Sequence, residues 1–532
     1  MQETRETPKE VYNVRVHFAS LVACFAAVII GYDAGFIGGT VVLPEFQREF
    51  GFANKSESDQ ILTKANIISL FHVGAFFGAY LIYPVGIVWG RIVGFIISGA
   101  LLVFGSAIQL AANSERGLGP MLAGRVISGL GIGAVSNLAP MYVSEIAPPA
   151  IRGRLIGMYE VAWQVGGVIG FFINYGTEIN LEGNRQWLVP VALQCIPSGL
   201  FFVGVFFIKE SPRWYYTRGN KKKALESLSY LRNLDADSNY IAYEIAAMEE
   251  ELIHRDKTVG AGFFDPFKAL FGRKNLAYRL LLSTSIFMFQ NTSGVNAINY
   301  YSVSILLTMG ISSQKTGLLS TGIFGVIKGV CCFLWAFFVV DKFGRKVPVI
   351  LISTICALCL WYIGVYIKVA QPEAGDGSLD AGGKAALAFF YIWTIGYAFS
   401  WSGTPWVYIS EIFDLSVRTL AQCINASSNW FWAFILARFT QDMINSMQYG
   451  IFFFFASLLM ISNAIYFFAY PETKNIPITD VDLLFQKGVR PWKAHAHVLK
   501  LLKEQEDSVL ADPWSDKASQ QFVEIVEGKE QV

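Results

Sequence analysis

The chain has 532 residues, 53% of them hydrophobic and 16% charged, with 42 Lys and Arg against 41 Asp and Glu. At a mean hydropathy of +0.42, that much apolar surface excludes a single water-facing globule and places the chain in a bilayer. The net charge of +1, with no basic patch interleaved with aromatics, gives no indication of nucleic-acid binding.

Residues 1–16 are charged and lack a cleavable signal pattern, so the first apolar run is expected to act as its own targeting segment. Only a helix or a closed barrel satisfies every backbone group inside hydrocarbon, and a helix needs about 20 apolar residues to cross it. Six such runs lie near 17–39, 66–86, 92–112, 120–142, 155–176 and 187–208. Asn54-Lys55-Ser56, between the first two, is a glycosylation acceptor pattern.

The stretch 209–278 is polar and basic, with amphipathic helical spacing at 220–233 and 240–256. Six more runs follow near 279–307, 317–340, 347–369, 384–409, 419–440 and 449–470, and 471–532 is a charged tail. The predicted fold class is therefore an all-α membrane protein of twelve transmembrane helices, a 17–208 bundle and a 279–470 bundle joined by a linker with short helices. Lys and Arg concentrate in the linker, in the tail and beside Arg91, Arg152, Lys342 and Arg418. Positive loops stay cytoplasmic, which predicts that both termini are cytoplasmic.

The two halves repeat each other. Ser144-Glu145-Ile146 with Arg152 returns as Ser410-Glu411-Ile412 with Arg418, Gly90-Arg91 returns as Gly344-Arg345, and Glu210-Ser211 is echoed by Glu472-Thr473. A doubled six-span unit is the layout of a carrier that rocks one half against the other.

Charges at bilayer depth cost at least about 2.5 kcal/mol on insertion scales and so require a partner or a task. Asp33 in the first span and Arg125 in the fourth could pair, either as a permanent ion pair or as a proton-coupling device. Glu160 and Lys328 are central in the fifth and eighth spans; they could bind substrate, titrate, neutralise each other, or serve a helix interface. His72 reads as a packed polar residue rather than a proton relay. Gly129, Gly131 and Gly133 sit in a span with no preceding strand, so they serve close helix packing and not a nucleotide loop. All seven cysteines fall in apolar runs, which argues against disulfides and against any metal site. The absence of a Walker motif argues against ATP-driven pumping, and no catalytic constellation or cofactor motif is present.

The seventh run carries Gln290, Asn291, Asn296, Asn299 and Tyr300 around Gly294, too polar for a lipid-facing helix. Amides both donate and accept, which suits the hydroxyls of a polyol. Trp406 after Thr404-Pro405, and Asn429-Trp430, add aromatic plates and a further amide. A polyhydroxy ring is the expected ligand.

Several phrases, in order from about residue 12 to 485, closely resemble the sugar porter family of the major facilitator superfamily: Gly124-Arg125, Pro140 through Pro148, Arg152-Gly153-Arg154, Glu210-Ser211-Pro212-Arg213, Asp341 through Lys346 and Pro471-Glu472-Thr473-Lys474. Gly31-Tyr32-Asp33, Gln290-Asn291, Thr404-Pro405-Trp406 and Asn429-Trp430-Phe431-Trp432 resemble its fungal quinate permease branch. The resemblance implies a plasma-membrane proton symporter for a quinate-like ring acid. A hexose, pentose or galacturonate carrier, proton-coupled or facilitative, is the alternative, and a non-transporting nutrient sensor a further one. It implies that Gln290, Asn291, Asn296, Tyr300, Trp406 and Asn429 line the site, and that Asp33 and Arg125 couple the proton. It also implies a cytoplasmic gate in which Glu145 acts with Arg152, and Glu411 with Arg418, joined by Arg91, Asp341 and Arg345. Departures are Glu160 in place of the family's glutamine, Asn291 in place of the second glutamine, Lys209 in place of proline, and Ile87 in place of an acid. The missing acid predicts a weaker lock in the first half.

Overall fold

The computed structural model describes residues 8–311, 313–372, 379–486 and 488–511. Among the described residues the regular elements are all helices, joined by short turns, and the helices fall into twelve spans. The first five are single helices: Val14–Thr40, Glu57–Val88, Arg91–Gln109, Gly119–Ile146 and Arg152–Asn180. Span 6 is two stacked pieces, Arg185–Leu193 and Cys195–Val205. Span 7 is Lys274–Gln290 and Asn296–Thr308 joined by a π-helical turn, and span 8 is Gln314–Leu334 with its own π turn at Trp335–Val339. Spans 9 to 12 are Lys346–Ala370, Ala381–Ser400 continued by Thr404–Ile412, Leu415–Met447 and Gly450–Ala469.

Nine helices of the described chain are long and apolar enough to cross a membrane on composition alone. The other three spans are 7, 10 and 11, which carry the amides and the chain breaks. Gly294 sits at φ +97 in the π turn, a conformation an L side chain adopts only with strain. Span 10 is interrupted before Thr404-Pro405, and span 11 carries Asn425, Asn429 and Arg438.

Spans 1 and 5 pack backbone to backbone, as do 2 and 4. A Cβ on Gly133 would overlap the Ala75 carbonyl, and one on Gly31 would overlap that of Trp163. Small residues here let helices approach where lipid offers no hydrophobic drive between them. On the outside, Phe77, Leu81, Phe104, Val203, Leu351 and Leu358 are exposed apolar side chains, as expected of a surface solvated by acyl chains.

The linker forms Pro212–Thr217, Lys221–Arg232, Asn239–Thr258 and Asp265–Gly272. Its predicted apolar stripe closes a small core of Tyr216, Ala224, Leu228, Ile241 and Met248. After span 12 the helix Pro491–Ala511, which hydropathy had left in the tail, packs Ala494 and Val498 on Leu483 and Leu484.

The repeated Gly-Arg phrases acquire a physical reason. Gly90 (φ +101) and Gly344 (φ +75) each precede a span, and a Cβ on either would collide with a carboxylate, Glu210 or Glu472. Glu210 accepts the N–H groups of Arg91, Ile92 and Ser211 at 2.8–3.0 Å. Glu472 likewise accepts those of Arg345, Lys346, Thr473 and Lys474. Each acid caps the positive end of the third span of its own half.

Candidate functional site

Spans 1, 2 and 5 of the first half and 7, 8, 10 and 11 of the second enclose a cavity of about 80 Å³, several times the roughly 10–15 Å³ that one water requires. Glu160, Gln290, Asn291, Asn296, Tyr300, Lys328, Trp406, Asn429 and Trp430 all line it. Residues scattered over 270 positions of sequence thus share one wall.

The amides are ordered by each other. Asn291 donates to Phe287 O at 2.8 Å and to Asn429 Oδ1 at 2.9 Å, and its own oxygen accepts from Asn296. Gln290 donates to the carbonyls of Trp401 and Ser402, both at 2.9 Å, where span 10 breaks. Trp406 stands edge-on to Phe287 at 4.7 Å. Hydrogen bonds cross between the halves at the cavity, among them Trp430 Nε1 to Ser136 Oγ at 3.1 Å and His72 Nε2 with Tyr300 OH at 3.0 Å. His72 is therefore a wall residue, and Gln164, Asn299 and Ser402 join it. Asn299 belongs to the polar run already singled out, and Gln164 was legible in principle, since it lies a turn after Glu160.

Asp33 and Arg125 do pair, with both carboxylate oxygens engaged by the guanidinium. Arg125 is fully buried and Asp33 3% exposed. Arg125 Nε donates to Ile67 O at 2.9 Å, and the Phe71 ring lies 4.5 Å from the guanidinium carbon. Phe71 and Ala34 line the cavity, so the pair stands one residue behind its wall. Glu160 accepts from Gln164 at 2.8 Å, and the Lys328 ammonium points to Asn299 Oδ1 at 3.4 Å. The two charges face the same space without forming an ion pair.

At the linker end of the bundles the charged pairs differ from the expected ones. Glu145 binds Arg91 through two bonds, 3.0 and 2.7 Å, and not Arg152; Glu411 binds Arg345 at 2.5 Å, and not Arg418. The reason is local: each arginine opens the third span of its half beside the glutamate, whereas the chain turns away after Ile146 and Ile412. Arg418 donates to Phe413 O, and both Arg152 and Arg418 lie within electrostatic reach of Glu251 on the linker helix. That helix touches both halves, through Arg232, which pairs with Glu244 and donates to Ile146 O, and through His254 at 3.7 Å from Asp414. The Asp341 side chain lies outside the described residues.

Two six-span bundles around a shared polar cavity define a membrane carrier of the major facilitator architecture. The chain belongs to the sugar (and other) transporter family, whose model matches residues 19–485. It is 48% identical over 514 residues to the quinate permease of Emericella nidulans, covering 96% of both chains. To a probable quinate permease of Aspergillus terreus it is 46% identical over 537 residues, covering 100% of this chain and 98% of that one. The fold is that of the solved proton:xylose symporter XylE bound to 6-bromo-6-deoxy-D-glucose (TM-score 0.73, 24% identity, 89% of this chain and 99% of that one). The inward open xylose transporter XylE from E. coli is similar as well (TM-score 0.71, 23% identity, 88% and 100%).

Proposed function

We propose that this carrier imports a cyclic polyhydroxy acid of the quinate class together with a proton, across the plasma membrane, with both termini and the linker in the cytoplasm. The observation that carries the reading is the amide-lined cavity shared by both halves, with the Asp33–Arg125 pair one residue behind its wall. Substrate in the cavity draws Gln290, Asn291 and Asn296 toward Asn429 and the Trp406 plate, which favours closure of one bundle, 17–208, against the other, 279–470. Protonation of Asp33 neutralises its carboxylate, weakens its hold on Arg125 and frees spans 1 and 4 to move relative to each other. On the cytoplasmic side, Arg91–Glu145, Arg345–Glu411 and the linker helix around Glu251, Arg152 and Arg418 hold the outward-facing state. The names of the relatives support quinate over other rings.

A second reading, transport of a neutral hexose or pentose, is favoured by one feature, the Glu160 carboxylate in the wall. Uptake of labelled quinate into cells lacking other carriers tests the proposal, with galacturonate, glucose and xylose as competitors. Uptake is expected to slow as external pH rises and to be blocked best by unlabelled quinate. Xylose competing while quinate does not would replace the first reading by the second.

A further inference from the structure

Among the described residues Lys328 is a wall cation without a bonded anion: Glu160 acts on it only through the electrostatic field across the cavity. Its ammonium carries three donors, yet it makes a single long bond, 3.4 Å to Asn299 Oδ1, and looks onto the Phe324 and Tyr397 rings at 5.9 and 6.0 Å. No carboxylate among the described residues lies at ion-pair distance from it, because Glu160 is turned to Gln164. A lysine only 9% exposed, deep in a membrane, normally acquires a partner. It also stands at a junction: Lys328 and Asn299 line both the central cavity and a smaller chamber behind it toward Gly35 and Phe171. The amides that suit ring hydroxyls are elsewhere on the wall, on spans 7 and 11.

We propose that Lys328, assisted by the Asn299 amide, is the seat of the substrate's carboxylate, and that it selects an acid ring over an uncharged one. This rests on the quinate-class reading above. The ring hydroxyls then fall to Gln290, Asn291, Asn296 and Asn429, and the acid group points into the mouth of the smaller chamber. Glu160 opposes the seat, since its carboxylate repels an incoming anion at the same wall. Replacing it by glutamine removes that repulsion without touching the ammonium.

The test is binding to the purified full-length carrier in lipid nanodiscs, with quinate and its uncharged methyl ester as the two probes. Wild type is expected to prefer quinate. A charge-assisted hydrogen bond of about 1.5–3 kcal/mol corresponds to a preference of roughly 10- to 100-fold. Lys328→Met should erase the ratio, mainly by weakening quinate, Lys328→Arg should keep most of it, and Glu160→Gln should raise it. If Lys328→Met leaves the ratio unchanged, or weakens both probes equally while Lys328→Arg binds normally, the seat is elsewhere. If wild type binds neither probe, the quinate-class reading itself has failed, a result distinct from the failure of Lys328. Should Lys328→Met not fold, the ratios in the arginine and glutamine variants still decide: a lost preference in Lys328→Arg with no rise in Glu160→Gln overturns the proposal.

Discussion

Asp33 and Arg125 are a buried pair on which both stability and the proposed coupling turn. Burying two charges is offset only by good geometry and further hydrogen bonds, and here Ile67 O and the Phe71 ring add to the two bonds of the pair. Asp33→Asn keeps the shape and removes the exchangeable charge. Accumulation is expected to collapse to an inside-to-outside ratio of about one, while exchange of labelled for unlabelled substrate continues, as counterflow in vesicles would record; unchanged accumulation would refute coupling through Asp33. Arg125→Met should cost stability instead, about 3–5 kcal/mol, because it strands the carboxylate. Outside the membrane, Glu49 accepts from Asn184 at 2.9 Å and from Ser114 N–H at 2.7 Å, and these bonds, the Asn184 amide first, hold its pKa below the usual carboxylate range. A depressed carboxylate stabilises the fold above its unfolded pKa and loses that contribution as pH falls through the folded one. Glu49→Gln should therefore lower Tm at pH 7, and the difference should shrink as pH falls below the usual carboxylate range. A difference that grew on acidification would contradict the sign.

Helices 2 and 4 owe their closeness to absent side chains. Gly133→Val places a branched side chain where even a Cβ would overlap the Ala75 carbonyl. Forcing the spans apart should cost about 1–3 kcal/mol or more, read as a lower Tm in detergent. Gly199→Ala in span 6 is the control, since a Cβ there meets nothing within 4 Å, and it should be neutral or stabilising by up to about 1 kcal/mol. Equal effects of the two changes would show that helix contact is not what Gly133 serves. The elements also mark what a sequence can disclose. Spans follow from hydropathy because a bilayer imposes length, and the polar run of span 7 marked the site because amides are costly against lipid. Partners did not follow: the spacing from Glu145 to Arg152 is conspicuous on paper, yet Arg91, which opens the neighbouring helix, takes both oxygens. Ile87, the missing acid, leaves that two-bond pair in place. His72 is the packed polar residue expected, but only the fold reveals its partner, Tyr300 of the other half at 3.0 Å.

Across the whole molecule, contacts between the halves bracket the cavity. Away from the linker, Gly38 of span 1 abuts the Tyr300 backbone and Gln314 donates to Val42 O at 2.7 Å. Toward the linker, Cys423 of span 11 donates to Ala79 O of span 2 at 2.9 Å. Alternating access requires these two sets to break in turn, so the bundles must part at Cys423 whenever the linker side opens. A cysteine introduced at Ala79 brings a second sulfur beside the native thiol, and a disulfide tolerates only about 4.4–6.8 Å between Cα atoms. Oxidation of Ala79→Cys should fix the linker side shut and stop uptake, reductant should restore it, and adding Cys423→Ser should abolish the oxidant sensitivity. Binding from the opposite side should survive in the oxidised protein, because the far-side contacts stay free to open. If the cross-linked carrier still transported, the halves would not separate here, and opening toward the linker would have to proceed by bending within spans 2 and 11 instead of by rocking one bundle against the other.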